Sequence, residues 1–337
     1  MDNPIYTHIR ALLEKHKASD VHIHSNLPIV ARISGELIEF PEYPVSHEDI
    51  ENFLKAELVD VQHDQFIATH DVDFAYQIDD YRFRGSALKT KNGLALVSRV
   101  VISKVPHIDD LGLPPAVHDC LNQRDGLVLV TGATGSGKST SLAAMIDKIN
   151  RTRSEHIITV EDPIEFIHKP IKSIITQREV GSDTDTFASA LKGALRQDPD
   201  VILMGELRDY ETVSMAMSAA ETGHLVFATL HTNGAPETIN RLVDVFPSDE
   251  QNKSRAQLAM SLRLVMTQQL LKRKAGGRIG AFEVMVNTPG IANLIRENKI
   301  QQIANMMQTG AKDGMLLMNK YKEMLLTKGL IKAEDAL

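Results

Sequence analysis

The chain has 337 residues, enough for two domains, and its 43% hydrophobic and 24% charged content is that of an ordinary folded protein. A formal net charge of −7 weighs against a general nucleic-acid binder, because such proteins usually have a basic surface. The single cysteine, Cys120, excludes an internal disulfide framework and favours a reduced, cytosolic setting, and no apolar run reaches the ~18 residues of a membrane span.

The first 102 residues predict an α+β domain. A helix is expected over Pro4–His16, and the alternating segment Asp20–His24 predicts a strand. Ser46 and Asp49 have the spacing of a capping box, which predicts a helix over residues 46–58. A meander of three strands follows, in which apolar residues alternate with polar ones from Val72 onward.

The dipeptide Asn92-Gly93 predicts the two-residue loop of a hairpin. In that register Ser86 pairs with Arg99, so Arg84 and Arg99 lie on one face as diagonal neighbours within reach of a shared anion. Arg82 shares the same face. Arginines on a sheet are often a solvated face only, but a phosphate-binding motif downstream favours the functional interpretation.

Residues 103–115 contain three prolines and a glycine and predict a linker. Beyond it, apolar runs alternate with helical stretches, which predicts a parallel sheet flanked by helices over residues 116–288. A helical tail is expected over residues 289–337. The further expected elements are strands at 156–162, 201–206 and 225–230, a helix at 210–222 and a long helix at 248–274.

The segment GATGSGKST, residues 132–140, matches the phosphate-loop template GxxxxGK[ST] between a buried strand and a helical pattern. Glycines let backbone N–H groups approach phosphates, and a helix N-terminus favours negative charge. Lys138 is expected to reach the β and γ phosphates of ATP, and Ser139 to ligate Mg²⁺. The predicted nucleotide-binding residues are Gly132, Ala133, Thr134, Gly135, Ser136, Gly137, Lys138, Ser139 and Thr140.

Polar residues follow three of the predicted strands. Glu161, Glu206 and His231 each come at a strand's carboxyl end, where ligands bind in open parallel sheets. Such carboxylates can hold Mg²⁺ through water or orient an attacking water. Glu206 is the first acid after its strand, because Gly205 occupies the position of the usual aspartate. His224, seven residues before His231, should point to the opposite face, which argues against a shared metal.

Five sequence boxes occur in order along nearly the whole chain: Asp20-Val21-His22, GATGSGKST, ITVEDPIEF at 158–166, ALRQDPDVILMGELRD at 194–209 and AETGHLVFATLHTN at 220–233. Together they resemble the ATPases of type II secretion and type IV pilus systems, and most closely the PilT family of pilus retraction motors. The resemblance implies a PAS-like N-terminal domain followed by a RecA-like P-loop ATPase domain, assembled as a homo-hexamer.

The resemblance also implies roles for individual residues. Arg84 and Arg99 match the two arginines that swing onto the γ-phosphate, whereas the family does not single out Arg82. Glu206 matches the Walker B acid and Glu161 the acid of the acidic box, and either could orient the water. The remaining matches are His224 and His231, the paired histidines, and Arg241, an arginine near the nucleotide.

Assembly and type II secretion motors of this kind usually contain two CxxC pairs, which this chain lacks, so retraction is favoured over extension. Residues 290–297, GIANLIRE, resemble the C-terminal helix motif of retraction motors, with Ala292 where that motif has arginine. The prediction is a Mg²⁺-dependent ATPase that drives pilin disassembly and twitching motility. It is expected in the cytoplasm, at the inner membrane, on the platform protein of the pilus machine.

Four alternatives remain open from the sequence. Within the same class, the chain could be an auxiliary retraction motor, or a motor for pilus assembly or type II secretion. A different class is a nucleic-acid translocase built on the same core, against which the acidic balance speaks. The last is a non-catalytic ATP-binding accessory subunit, against which the acids and arginines speak.

Overall fold

A computed structural model describes residues 3–33, 35–79, 81–101 and 105–335, which pack as two units. The first unit comprises the described residues before 105 together with Asp162–Ile167 and Glu179–Asp185. The second comprises Val105–Glu161, His168–Arg178 and the described residues from Thr186 onward. Part of the predicted linker lies outside the described residues, and Ile108–Leu111 within it forms a 3₁₀ turn. The domain boundaries drawn from the sequence stay a prediction.

The first unit is an antiparallel sheet covered by helices. Its elements are α1 (Pro4–His16), β1 (Asp20–His24), β2 (Leu27–Ile33), β3 (Glu36–Val45), α2 (His47–Glu57), α3 (Asp60–Thr69), β4 (Asp71–Ile78), β5 (Tyr81–Thr90) and β6 (Gly93–Val101). Within the described residues the sheet has the strand order β3-β2-β1-β6-β5-β4. The predicted capping box is confirmed, because the Asp49 N–H donates to Ser46 Oγ and the Ser46 N–H donates to the Asp49 carboxylate.

The core of the first unit follows from strand alternation. On β4, Val72, Phe74, Tyr76 and Ile78 are buried, whereas the intervening Asp71 and Asp73 are exposed. Helix α3 was not predicted. Its apolar residues Val61 and Ile67 are 69% and 60% exposed, so the helix has no apolar face that a sequence pattern could reveal.

The hairpin between β5 and β6 differs from its predicted register by two residues. Thr90 pairs with Gly93, so the loop is Lys91-Asn92, and Arg84 lies directly opposite Arg99 rather than diagonal to it. Gly93 has φ +119° and Thr90 Oγ1 donates to its carbonyl, so the glycine is the first strand residue rather than a loop residue. The two arginines still share a face, as predicted.

The second unit is a mixed sheet between helices. Its elements are α4 (Pro115–Cys120), β7 (Gly126–Thr131), α5 (Lys138–Thr152), β8 (His156–Glu161), β9 (Ile174–Glu179, whose last residue belongs to the first unit), α6 (Phe187–Ala194), β10 (Val201–Met204), α7 (Tyr210–Glu221), β11 (Leu225–Leu230), α8 (Ala235–Asp244), α9 (Gln251–Ser261), β12 (Leu262–Lys272), β13 (Arg278–Val286), α10 (Pro289–Arg296), α11 (Ile303–Thr309) and α12 (Met318–Thr327).

The sheet of the second unit has the strand order β13-β12-β7-β11-β10-β8-β9 in the part of the chain described. From β12 to β8 each neighbouring pair is parallel, and β13 is antiparallel to β12. The carboxyl ends of β7, β8, β10 and β11 therefore share one edge. The predicted α/β class is confirmed, with an α+β N-terminal unit followed by a unit built on a mainly parallel sheet.

The long helix predicted over residues 248–274 is wrong. Helix α9 ends at Ser261, and the next eleven residues form β12, which pairs with β7 on one side and β13 on the other. Leu262, Leu264 and Met266 are buried there, and a run of apolar residues cannot by itself distinguish a buried strand from a helix. Strands β9 and β13 were also missed.

Candidate nucleotide site and arginine pair

The phosphate loop joins a buried strand to a helix N-terminus. Every residue of β7 is buried, and helix α5 begins at Lys138 with Gly137 as its N-cap. Gly132, Gly135 and Gly137 have φ values of 141°, 77° and 91°, which side chains rarely permit. A Cβ on Gly132 would lie 2.3 Å from the Gln268 carbonyl oxygen, so only glycine fits between the loop and β12.

The ammonium group of Lys138 lies over the loop. Its Nζ donates to the carbonyl oxygens of Gly132 at 2.8 Å and Ala133 at 3.1 Å, and the residue is buried. These contacts place a buried positive charge beside the loop, which favours an anion there electrostatically. The Ser136 hydroxyl is also buried and has no hydrogen-bond partner within the described residues, as expected for a group that a ligand would satisfy.

Gln268 on β12 supports the loop and was missed by the sequence analysis. Its Nε2 donates to the Ser136 carbonyl at 2.8 Å, and its Oε1 accepts from Ser141 Oγ at 2.7 Å. The side chain thereby ties the loop to the first turns of α5. A glutamine within an otherwise apolar run is the sequence signal for such a supporting role, but the same run predicts a helix rather than β12.

Glu161 and Glu206 lie at the carboxyl ends of two adjacent parallel strands, β8 and β10. Glu161 Oε1 accepts from Thr159 Oγ1 at 2.8 Å and from Gln177 Nε2 at 3.3 Å. The glycine before Glu206 allows a close approach, because a Cβ on Gly205 would lie 3.3 Å from the Glu161 Cα. A side chain at position 205 would therefore require its neighbours to move by a few tenths of an ångström.

The Glu206 carboxylate lies among positive groups. Arg208 Nη2 donates to its Oε2 at 2.7 Å, and His231 Nε2 lies 3.6 Å from the same oxygen. Burial raises the pKa of Glu206, but the hydrogen bond and charge of Arg208 together with the other nearby positive groups outweigh that effect, and the pKa lies below its usual value. The charges of His231 and Lys138 also lower this pKa. Glu206 is therefore ionised at neutral pH and able to orient a water.

One of the predicted site residues, His224, does not lie at this edge of the sheet. His224 precedes β11, and its Nδ1 donates to the Ala219 carbonyl at 2.9 Å. His231 follows the same strand, so the two histidines lie roughly 20 Å apart at ~3.3 Å per residue. Arg241 is exposed in the last turn of α8 and makes no ion pair within the residues described. The roles predicted for His224 and Arg241 stay predictions.

The three arginines of the first unit have different surroundings. Arg84 is exposed and makes no ion pair in the described part of the chain. Arg99 Nε donates to Asp20 Oδ1 at 2.7 Å, and the Arg99 side chain is 72% exposed. Arg82 instead forms an ion pair with Glu179, at 2.6 Å, in which both side chains are largely buried. An anion could thus reach Arg84 and, in competition with Asp20, the exposed Arg99, whereas Arg82 is buried in its ion pair.

The chemistry of the donor set fits Mg²⁺ bound together with a nucleotide. Among the described residues, no group of three or more histidine, cysteine or carboxylate side chains could hold a metal by itself. Mg²⁺ usually keeps several waters and is held by one or two protein oxygens and the substrate phosphates. Ser139 in the first turn of α5 and Glu206 just after β10 have oxygen atoms of the kind that could hold such an ion.

A buried strand, a glycine loop, a lysine at a helix N-terminus and acids along one edge of a parallel sheet define a P-loop nucleoside triphosphatase. Comparison with known proteins is consistent with this class. The family model described as "Type II/IV secretion system protein" matches residues 2–275.

Two curated relatives match most of the chain. The type IV pilus retraction ATPase PilT of Pseudomonas aeruginosa is 44% identical over 331 residues, covering 98% of this chain and 96% of that protein. A twitching motility protein of Neisseria gonorrhoeae is 46% identical over 309 residues, covering 90% and 82%. A crystal structure of the pilus retraction motor PilT with bound ADP matches with a TM-score of 0.91 at 42% identity, covering 99% of this chain and 96% of that one.

The chain therefore belongs to the type II/IV secretion system protein family and, within it, to the PilT family. It is a nucleotide-binding ATPase. No helix in the described part of the chain is long and apolar enough to cross a bilayer.

Proposed function

We propose that the protein is a hexameric, Mg²⁺-dependent ATPase that drives type IV pilus retraction by disassembling pilin. The observation that supports this most strongly is the complete phosphate loop, with Glu206 on the same sheet edge, in a chain similar to PilT over 98% of its length. We expect it in the cytoplasm, bound to the inner membrane through the platform protein of the pilus machine.

Phosphoryl transfer to water needs positioning and charge stabilisation rather than covalent chemistry. The loop N–H groups and Lys138 bind the phosphates, and Ser139 and Glu206 hold Mg²⁺, directly or through water. When bound, Mg²⁺ neutralises charge that develops on the phosphate oxygens. We favour Glu206 as the residue that orients the attacking water, because it lies 3.6 Å from His231, which follows the neighbouring strand. Glu161 supplies a second carboxylate from the neighbouring strand.

Arg84 and Arg99 act on the γ-phosphate in this proposal. In the antiparallel pair their Cβ atoms lie ~4.5–5.5 Å apart, and two like charges that close repel each other unless an anion lies between them. Asp20 compensates Arg99 at rest, and the γ-phosphate would replace it when ATP binds. Hydrolysis removes the γ-phosphate, so Arg99 would return to Asp20 after each turnover.

Deletion of the protein in its source cell, with surface pili counted, tests the direction of work. Excess pili that do not retract support a principal retraction motor, and normal pilus numbers with weakened retraction indicate an auxiliary one. Bald cells would instead identify an assembly motor.

An ATPase assay on the purified protein distinguishes the proposal from a nucleic-acid translocase and from a non-catalytic accessory subunit. ATPase activity without DNA, and unchanged by its addition, supports the proposal. Stimulation by DNA would indicate a translocase, and absence of turnover would indicate an accessory subunit.

A further inference from the structure

Arg82 and Glu179 form a buried ion pair within the first unit. Arg82 Nη2 lies 2.6 Å from Glu179 Oε2, and the two side chains are only 13% and 8% exposed. Buried charged groups gain little net stability from pairing, because both lose their hydration. The main consequence of such a pair is therefore that it holds together the two segments that bear the charges, rather than that it stabilises the fold.

The pair also binds both polar groups of one peptide residue. Arg82 Nε donates to the Ile164 carbonyl at 2.7 Å, and the Ile164 N–H donates to Glu179 Oε2 at 3.0 Å. Asp183 Oδ2 accepts from the Glu179 N–H at 2.8 Å and fixes the second segment in turn. We call this set, Arg82, Glu179 and the Ile164 backbone, the Arg82 clamp. It ties β5 to two separate segments, residues 162–167 and 179–185.

Both clamped segments follow closely after a residue of the candidate site or its hydrogen-bond partner. Glu161 ends β8 in the second unit, and residue 162 already belongs to the first. Gln177 lies in the second unit two residues before Glu179 and donates to the Glu161 carboxylate at 3.3 Å. The Arg82 clamp therefore holds the chain three residues after Glu161 and two residues after the hydrogen-bond donor to Glu161.

We propose that Arg82 is a positioning residue for ATP hydrolysis, which acts through the clamp on the geometry of Glu161 and Gln177. This inference rests on the proposed role of Glu161.

The test is a double-mutant cycle between Arg82→Met and Gln177→Leu, with kcat, KM and ADP affinity measured for each protein. A thermal unfolding midpoint for each shows whether the fold persists. Arg82→Lys keeps the charge, but one ammonium group cannot match the planar guanidinium that reaches both Glu179 and Ile164. The kcat of Arg82→Lys should therefore lie between that of Arg82→Met and that of the unchanged protein. Arg10→Met is the matched control, because Arg10 pairs with Asp79 in the same unit with both side chains about half exposed.

We expect Arg82→Met to lower kcat by about 10- to 100-fold, the effect of a small misplacement of a catalytic group, with ADP affinity within about twofold. Adding Gln177→Leu should lower kcat by much less than the product of the single effects, since both act on one hydrogen bond. Independent effects in the cycle would overturn the proposal, as would an unchanged kcat in Arg82→Met or an equal loss in Arg10→Met. Failure of the retraction role would appear in pilus counts and leave these rates unaffected.

Discussion

Arg99 Nε lies 2.7 Å from Oδ1 of Asp20, whereas Arg84, the other arginine of the facing pair, makes no ion pair among the described residues. The Asp20 side chain is only 10% exposed, whereas that of Arg99 is 72% exposed. Burial raises the pKa of Asp20, but hydrogen bonds from Arg99 and Ser19, together with the charges of Arg99 and Arg32, outweigh it, and the pKa lies below its usual value. In the proposed mechanism Asp20 is the counter-ion of Arg99 until the γ-phosphate replaces it.

Substitution of the facing arginines should affect turnover far more than binding. We expect Arg84→Ala and Arg99→Ala each to lower kcat strongly, as arginines that stabilise transition-state charge contribute ~10³–10⁵ in rate in other phosphoryl-transfer enzymes. ADP affinity should change little, because ADP has no γ-phosphate. Steady-state kinetics and ADP titration check this. Arg82 cannot serve as the control position, because it forms a buried ion pair. Arg10→Ala is the control instead, and a loss of kcat there equal to the loss in Arg84→Ala or Arg99→Ala would refute the assignment.

The phosphate loop and the acid should separate binding from catalysis. Lys138→Ala removes the loop's ammonium group, so both nucleotide binding and hydrolysis should be lost. Glu206→Gln keeps the shape but removes the charge that orders metal and water, so it should bind ATP and fail to turn it over. Titration with a fluorescent nucleotide and a phosphate-release assay distinguish the two. Normal turnover in Glu206→Gln would transfer the water-orienting role to Glu161.

Gln268→Leu tests the support of the loop from β12. The change leaves the Ser136 carbonyl and the Ser141 hydroxyl without their partner, and each unsatisfied buried group costs about 1–3 kcal/mol. A lower unfolding midpoint and weaker ADP binding should therefore appear together. Gln269→Leu is the matched control, since Gln269 is the next residue of β12 and is only half-buried. Equal effects at both positions would contradict a specific role for Gln268.

The pH dependence of turnover should report the Glu206–Arg208 pair. The pKa of Glu206 is depressed, so the carboxylate stays charged as pH falls through its usual range and is protonated only below it. Arg208→Ala removes the main lowering influence while burial still raises the pKa. The acid limb of kcat should therefore move to higher pH in Arg208→Ala. An acid limb at the same pH in both proteins would show that Glu206 does not govern it.

The sequence revealed the features that depend on neighbouring residues. The phosphate loop, the capping box at Ser46 and the acids at strand ends are all local patterns, and each was predicted. The Arg82–Glu179 pair and the Gln268–Ser136 hydrogen bond join residues 97 and 132 positions apart, so no local pattern could indicate them. Strand β12 was missed because its burial between β7 and β13, rather than its own periodicity, decides its conformation.

We expect α10 to transmit the work of ATP hydrolysis to the pilus machine without taking part in hydrolysis itself. Arg296 is exposed in the last turn of this helix, while Ile291, Leu294 and Ile295 are buried beneath it. We expect Arg296→Ala to keep the ATPase rate within about threefold, as an exposed side chain outside the site contributes little to the fold. Pili should nevertheless fail to retract. Loss of ATPase activity in proportion to retraction would show that α10 belongs to the active ring.

The measurement that tests the central claim most directly is the count of surface pili in source cells whose only copy is Glu206→Gln. The protein would still bind ATP and occupy the pilus machine but could not complete a cycle. If ATP hydrolysis at this site drives retraction, these cells should have excess pili that never shorten and should not twitch. Bald cells, or pili that retract normally, would contradict it.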